Sequence, residues 1–362
     1  MSLISLHINN LRNLSSVKVS PSDKFNLLYG PNGSGKTSFF EAIYYLMLGR
    51  SFRTRHNVRA IQHNNTHLSI FAKIRKDDEL ISLGIERHSG GKNLLRINQE
   101  NKSSMLEATK ILPVQLLNPE SRHLLTAYSK ARRGFIDWGV FHVEPSFILS
   151  WQQAQRALKQ RNAALKSNAS KTMVEIWNVE LNHAAGRLNT FRKNYLAALE
   201  PILLNMLSIF FKDTFNLSFK YKAGWDEEDG LITTLQRTLS RDFQLGYTQH
   251  GPHKTDLLIR INNTIPAQDV LSQGQQKLLV YALHLAQGIL LKKQSGKKCV
   301  FLLDDLSAEL DVENRRKVIE ALHQIDAQVF ITAIDKETLE SMGDFPNTCM
   351  FHVERGKIIP AV

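Results

Sequence analysis

One octapeptide constrains this chain more than anything else in it: Gly30-Pro31-Asn32-Gly33-Ser34-Gly35-Lys36-Thr37 satisfies G-x-x-x-x-G-K-[ST] at every position. It follows an apolar run, Phe25 to Tyr29, that reads as a buried strand. It precedes Phe39 to Leu48 (FFEAIYYLML), long and apolar enough to be the next helix. Strand, glycine-rich loop and helix in that order predict a P-loop. The glycines let backbone N–H groups close around phosphate oxygens, Lys36 reaches the β- and γ-phosphates, and Thr37 offers its hydroxyl to Mg²⁺. The positive end of the helix faces the same phosphates, so Ser38 joins Gly30 through Thr37 in the candidate ATP-binding set. A glycine-rich turn with a chance lysine is the bland alternative, and the agreement of motif with context disfavours it.

Charge points to a second kind of phosphate. The chain carries 46 Lys and Arg against 34 Asp and Glu, a net charge of +12, which favours a polyanionic partner because basic side chains release counterions from a phosphate backbone. Arg50, Arg53, Arg55 and Arg59 fall within ten residues beyond the P-loop helix with no acidic residue among them, and they are the DNA-binding candidates. Further basic groups stand at Lys130, Arg132 and Arg133, then at Arg156, Lys159, Arg161, Lys166 and Lys171. A length of 362 residues predicts about two domains. No apolar run approaches the roughly 18 residues of a membrane span, and no leader pattern opens the chain, so the expectation is a cytoplasmic protein without a membrane partner. Cys299 and Cys349 lie in separate apolar segments and read as core residues, which leaves no disulfide framework and no cysteine-based zinc site.

The other half of the nucleotide site lies far along the chain. Cys299 to Leu303 (CVFLL) is a short apolar run ending in Asp304-Asp305, the Walker B pattern of a buried strand that delivers a carboxylate to its tip. Asp304 is expected to hold Mg²⁺ through water, and Asp305 to stand near the γ-phosphate as general base or water-positioning carboxylate. About thirty residues earlier, Leu271-Ser272-Gln273-Gly274-Gln275-Gln276-Lys277 opens a helical run, Leu278 to Leu291. There Ser272 supplies a hydroxyl beside exposed N–H groups, or else a plain N-cap. This heptapeptide resembles the LSGGQ signature of ABC-type ATPases, and Ser307 to Asp311 (SAELD) resembles their D-loop. The short lead Leu3 to Val19, with Leu11-Arg12-Asn13-Leu14, resembles that of SMC-like repair ATPases, and the whole is similar to the RecF family. QLLNPE (115–120), RRGFIDW (132–138), LKQRNAAL (158–165), QHGPHKTD (249–256) and LLDDLSAELD (302–311) carry that likeness.

The resemblance implies an α/β, ABC-type P-loop ATPase head of mixed sheets and helices with an inserted, mainly helical domain. It implies a weak, DNA-stimulated ATPase using ATP and Mg²⁺, dimerising on ATP to bind double-stranded DNA near single-stranded gaps. RecR, and RecO as a second candidate, would be its partners in loading RecA, and it would be nucleoid-associated. By position, Arg12 and Asn13 would lie beside the nucleotide, and Gln115 would be the catalytic Q-loop glutamine, its bland reading an incidental polar residue in a strand. Ser272, Gln273, Gly274 and Gln275 would cover a γ-phosphate held by another subunit, with Asp311 as the D-loop aspartate. Asp305 stands where transporter ATPases carry glutamate, which predicts slow turnover. No switch histidine follows Val329 to Ile334, where Thr332 is the nearest substitute. An ABC transporter subunit and a nucleotide-binding scaffold without turnover are the rival readings.

The boundaries read as 1–120 for the first part of the head, 121–245 for the helical insertion and 246–362 for the second part. Within the insertion, Trp177, Leu181, Ala184, Leu188, Phe191, Tyr195 and Ala198 form a heptad-like stripe expected to pack in an antiparallel hairpin. Pro201 is expected to end or kink that helix, and Asp226 to Asp229 to mark an exposed turn. His250 and His253 flank Gly251-Pro252 without further ligands nearby, so a structural or DNA-facing role outweighs a metal.

Overall fold

The computed structural model describes residues 1–211, 216–340 and 347–361. The chain forms two compact units, one from Met1–Ser121 with Lys277–Val362, the other from Arg122–Gln276. The first opens with β1 (Ser2–Leu11), β2 (Leu14–Val19), β3 (Phe25–Tyr29), α1 (Lys36–Leu48), β4 (His67–Lys76), β5 (Glu79–His88), β6 (Asn93–Ile97), β7 (Glu100–Asn101), α2 (Met105–Ile111) and β8 (Val114–Leu117). The second contains α3 (His123–Thr126), α4 (Ser129–Val143), α5 (Phe147–Lys166), α6 (Lys171–Phe210), β9 (Leu217–Lys222), α7 (Gly230–Arg237), α8 (Leu239–Leu245), β10 (Asp256–Ile261), β11 (Ile265–Pro266) and α9 (Ala267–Val270). After α10 (Gln273–Ser295) come β12 (Val300–Leu303), α11 (Leu306–Glu309), α12 (Val312–Gln324), β13 (Gln328–Ala333), α13 (Lys336–Glu340), β14 (Thr348–Glu354) and β15 (Lys357–Ala361).

Two six-stranded sheets build the first unit. One is antiparallel, ordered β2-β1-β4-β5-β6-β7; the other, β15-β14-β3-β13-β12-β8, is parallel from β14 to β8. Strands β12 (VFLL) and β13 (QVFITA) are buried at every position, as expected of a parallel sheet covered on both faces. The antiparallel strands alternate, burying Leu6, Ile8, Ile70, Ile74, Leu83 and Ile85 in one core with Phe39, Phe40, Ile43 and Leu46 of α1 and Val300, Leu302 and Phe330 of the parallel sheet. Helix α1 packs against β1, β4 and β5 and against β8. It is therefore apolar nearly all round, and that packing holds the P-loop at its start. Gln328, buried in β13, donates to the Leu3 and Ser22 carbonyls (2.8 and 2.6 Å) and accepts from Leu3 N (2.8 Å), tying β1 to the parallel sheet. No helix of the described residues is long and apolar enough to cross a membrane.

In the second unit α5 and α6 run antiparallel, with Arg187 meeting Ser150 near one end and Arg161 meeting Asn178 near the other. The buried seam of α6 passes through Val174, Asn178, Leu181, Ala185, Leu188, Arg192, Tyr195 and Leu199, so two polar residues occupy positions that the apolar stripe did not include. Helix α6 does not end at Pro201 but continues to Phe210, because Leu203, Met206, Leu207 and Phe210 stay buried on the same seam and outweigh the cost of one missing N–H. Strand β9 pairs with β10, and β10 with β11. That pairing holds residues beyond 245 in the same unit and carries it to Gln276.

Several basic residues of this unit are consumed by its own fold. The guanidinium of Arg132 pairs with Asp256 (2.7 and 3.1 Å), and Arg133 donates to the Thr255 carbonyl (3.0 Å). Arg192 holds Asp137 through two bonds and donates to Thr255 Oγ1 (2.8 Å) and the Pro252 carbonyl (3.1 Å). RRGFIDW and QHGPHKTD are thus two halves of one structural lock. His253 belongs to it: Nε2 donates to the Thr248 carbonyl (3.0 Å), and burial pushes the imidazole down to about 4, so it is held neutral.

Candidate nucleotide-binding site

The P-loop is braced by close backbone contacts that leave no room for a side chain at Gly30 or at Gly356 of the β14–β15 hairpin. A Cβ on Gly30 would lie 2.0 Å from the Val353 carbonyl of β14, and one on Gly356 would lie 2.0 Å from the Asn13 carbonyl. Arg355 and Gly356 both have positive φ (47° and 76°), so the β14–β15 hairpin turns tightly enough for Gly356 N to donate to the Ser34 carbonyl (2.8 Å). Asn13 completes the brace: it donates to the Gly33 carbonyl (3.1 Å) and accepts from Ser38 Oγ (2.9 Å). Neither the hairpin nor its glycine stands out in the sequence. Gly356→Ala should weaken ATP binding about tenfold through strain of roughly 1–3 kcal/mol, read by isothermal titration. An unchanged affinity would show that the hairpin does not brace the loop.

Around this loop lies a cleft of about 640 Å³ lined by Arg12, Asn13, Asn32, Gly33, Gly35, Lys36, Thr37 and Ser38, together with Arg53, Pro119, Asp304, Asp305 and Thr332. Helix α1 begins at Lys36 behind Gly35, with no side-chain cap, so its first N–H groups are open to an anion. The Lys36 ammonium donates to the carbonyls of Gly30 (2.6 Å) and Pro31 (3.1 Å). Burial lowers its pKa, and Asp305 and Asp304 oppose that shift. The Thr37 hydroxyl donates to Asp304 (3.0 Å). Asp304 also accepts from Thr332 Oγ1 (2.9 Å), and its pKa is raised by burial against the pull of these two hydroxyls. Parallel pairing of β12 with β8 and β13 brings these groups together, with Asp304 N donating to the Leu117 carbonyl (2.8 Å). Asp305 sits at φ 53° with its N–H on Thr332 Oγ1 (2.8 Å), which turns the chain sharply at the strand's end. The site fits a magnesium triphosphate: Thr37 and Asp304 are hard oxygen donors in contact, and the uncapped start of α1 leaves N–H groups for the phosphates.

Gln115 requires correction. Its amide donates to Gln287 Oε1 (3.0 Å), its carbonyl oxygen faces His284 Nδ1 (2.8 Å), and it is absent from the cleft lining. It pairs with Phe301, three residues before Asp304 on the neighbouring strand, hence roughly 10 Å deeper in the sheet. The strand reading of Gln115 therefore fits and the Q-loop placement does not; Pro119 is the residue of this segment that reaches the cleft. Arg53 also moves between roles. Expected among the DNA candidates, it lines the cleft and pairs with Glu41 (3.6 Å), whereas Arg50, Arg55 and Arg59 are exposed outside the lining.

The signature residues lie at the start of α10. Ser272 is exposed, its Oγ accepts from Gln275 N (3.3 Å) and its N–H donates to Gln275 Oε1 (2.9 Å), a reciprocal capping box. A Cβ on Gly274 would meet nothing within 4 Å, so this turn presents bare backbone to solvent. Gln273 is exposed as well, and Asp311 caps α12 by accepting from Asn314 N (2.8 Å).

The RecF/RecN/SMC N terminal domain matches residues 2–358. The DNA replication and repair protein RecF of Coxiella burnetii (strain Dugway 5J108-111) is 43% identical over 354 residues, covering 98% of each chain. The chain belongs to the RecF family. RecF of Shewanella pealeana is 40% identical over 358 residues, 99% of each chain. The solved recombination mediator protein RecF-ATP of the RecFOR pathway superimposes with a TM-score of 0.87 at 26% identity, over 100% of this chain and 98% of that one. The SmcHead bound to the C-winged helix domain of ScpA shares the fold, with a TM-score of 0.61 at 13% identity over 100% and 97%.

Within this RecF-family head, Glu41 is the site residue that sequence reasoning missed. Fully buried in α1, it takes three bonds from Arg12 (3.3, 3.0 and 2.8 Å) and one from Ser51 Oγ (2.5 Å). It thereby holds Arg12, itself at φ 55°, and Arg53 at the cleft. Its one signal was a lone carboxylate inside FFEAIYYLML.

Proposed function

We propose that the protein is an ATP-dependent DNA-binding protein of recombinational repair. It is a slow, DNA-stimulated ATPase whose ATP state is a homodimer on duplex DNA beside a single-stranded gap, where with RecR and RecO it helps load RecA. It works in the cytoplasm on the nucleoid. The observation that carries this reading is the meeting of Lys36, Thr37, Asp304 and Asp305 in one cleft of a RecF-family chain. Lys36 and the N-terminus of α1 bind the phosphates, and Thr37 and Asp304 would hold Mg²⁺, which neutralises charge on the β- and γ-phosphates. Arg12, Asn13 and Arg53 flank the nucleotide, while Asp305 orients the attacking water. The capped turn at Ser272 and Gly274 suits a phosphate held by a second copy, and Asp311, at the cap of α12, is a separate candidate for contact with that copy. Arg50, Arg55 and Arg59 suit DNA phosphates.

Two variants test this reading. Lys36→Ala should abolish the ATP stimulation of duplex binding in a mobility-shift titration; stimulation equal to that of the parent chain rules the coupling out. Ser272→Arg should retain ATP affinity while preventing ATP-dependent dimers in light scattering, since losing the cap costs only about 1 kcal/mol. Dimers formed at parental yield would remove the signature from the interface.

A further inference from the structure

The outward face of the antiparallel sheet takes no part in the nucleotide cleft, yet it concentrates binding chemistry. Strand register places Lys18 opposite His7, His7 opposite Phe71, Phe71 opposite Gly84 and Gly84 opposite Arg96. Directly opposed residues share a face, so five neighbouring strands contribute one row about 19 Å long at about 4.8 Å per strand. Phe71 is at its centre, 37% exposed, its ring edge-on to His7 at 5.8 Å. Gly84 adds no side chain beside it, and the floor between Phe71 and Arg96 opens into a groove of about 470 Å³ walled by Ser69, Ser82 and Leu94. Arg96 is anchored on Asn101 (3.2 Å).

The surrounding charge is one-sided. Lys73 stands opposite Ser5 and Ser82, and Arg75 opposite Ser2 and Leu80. With Lys18 and Arg96 these make four cations on a face where the groove also holds one carboxylate, Glu86, hydrogen-bonded to His88 Nε2 (2.6 Å). His7 reports the crowding: burial first, then Lys18 and Lys73, lowers its pKa. An exposed ring amid cations on an open sheet face suits unpaired bases, which stack on aromatics while their phosphates meet basic side chains. Paired bases hide their faces, so a duplex cannot use Phe71, and an acidic peptide has no need of it.

We infer that this face is a platform for a single-stranded polynucleotide, with a base stacked on Phe71 and its backbone following Lys18, Lys73 and Arg96. The platform needs neither ATP nor a second copy, so it stands or falls apart from the proposed function. The test is fluorescence anisotropy of the full chain without nucleotide, titrated into oligothymidylate, oligouridylate and a blunt duplex. Phe71→Ala should weaken oligothymidylate binding about tenfold and leave the duplex unchanged, while Phe71→Trp retains binding and shows that the fold tolerates the position. Removing Lys18 and Lys73 together should flatten the log–log salt slope by about 1.4. Oligouridylate tells whether a ribose strand lacking the thymine methyl is also taken, and Phe71-dependent binding of either strand supports the platform. Equal affinity of Phe71→Ala and the parent chain, equal losses on strand and duplex, or Phe71-dependent binding of polyglutamate instead would overturn it.

Discussion

Asp305→Asn should lower ATP hydrolysis by roughly 10²- to 10⁴-fold, the span of a lost general base, while ATP affinity changes little. The division of labour between the two aspartates is the reason. Asp304 is buried and engaged by Thr37 and Thr332, whereas Asp305 lines the cleft and, among the described residues, its carboxylate takes a long bond from Ser307 Oγ (3.3 Å). Its backbone is in the left-handed region, φ 53°, which Asn adopts as readily as Asp, and its N–H stays on Thr332 Oγ1. Geometry is thus preserved and only the basic carboxylate is removed. Phosphate release at saturating ATP and DNA gives the rate, and a fluorescent ATP analogue gives the affinity. Hydrolysis at the parental rate would exclude Asp305 as the base and return the role to a group outside this pair.

Asp242→Ala should destabilise the Arg122–Gln276 unit by about 3–5 kcal/mol, lowering its melting temperature by roughly 6–20 °C. Arg161 and Asp242 are both fully buried and meet at 2.8 Å. Arg161 also donates to Asn178 (2.6 Å) and Thr248 (2.7 Å), so it cannot swing out to water. Without Asp242 a guanidinium remains buried beside neutral partners, and Gln249 N loses its acceptor as well. The double variant Arg161→Met with Asp242→Leu removes both charges and should recover most of the loss, since a buried pair contributes less than the penalty of stranding one member. Calorimetry of the three chains decides it. A single variant that melts with the parent would show that the buried charge finds other solvation.

The corrections share a cause. Gln115 was assigned to the cleft from its place in QLLNPE, but depth along a strand depends on how β8 registers against β12, and that register leaves it level with Phe301. Arg132, Arg133 and Arg161 counted toward a basic surface because charge is visible in sequence and pairing is not; each is held by a partner about 80 to 125 residues away. The heptad-like stripe of α6 was legible as periodicity, yet Asn178 and Arg192 occupy its seam because their partners are supplied by α5, α4 and the segment around Thr255.

What the sequence alone determined was local chemistry: the strand–loop–helix around Lys36, the apolar run delivering Asp304, the Ser272 cap, and the likeness to RecF. These are set by neighbours a few residues apart, because a phosphate loop, a cap and a buried strand each need particular residue types at fixed short spacing. The tertiary structure alone decided that Glu41 anchors Arg12, that Gly356 presses on Asn13, and that Lys18, His7, Phe71 and Arg96 share one row. Alternation along a strand shows which residues share a face but not which strand lies beside it, and that choice is made by packing of the whole chain.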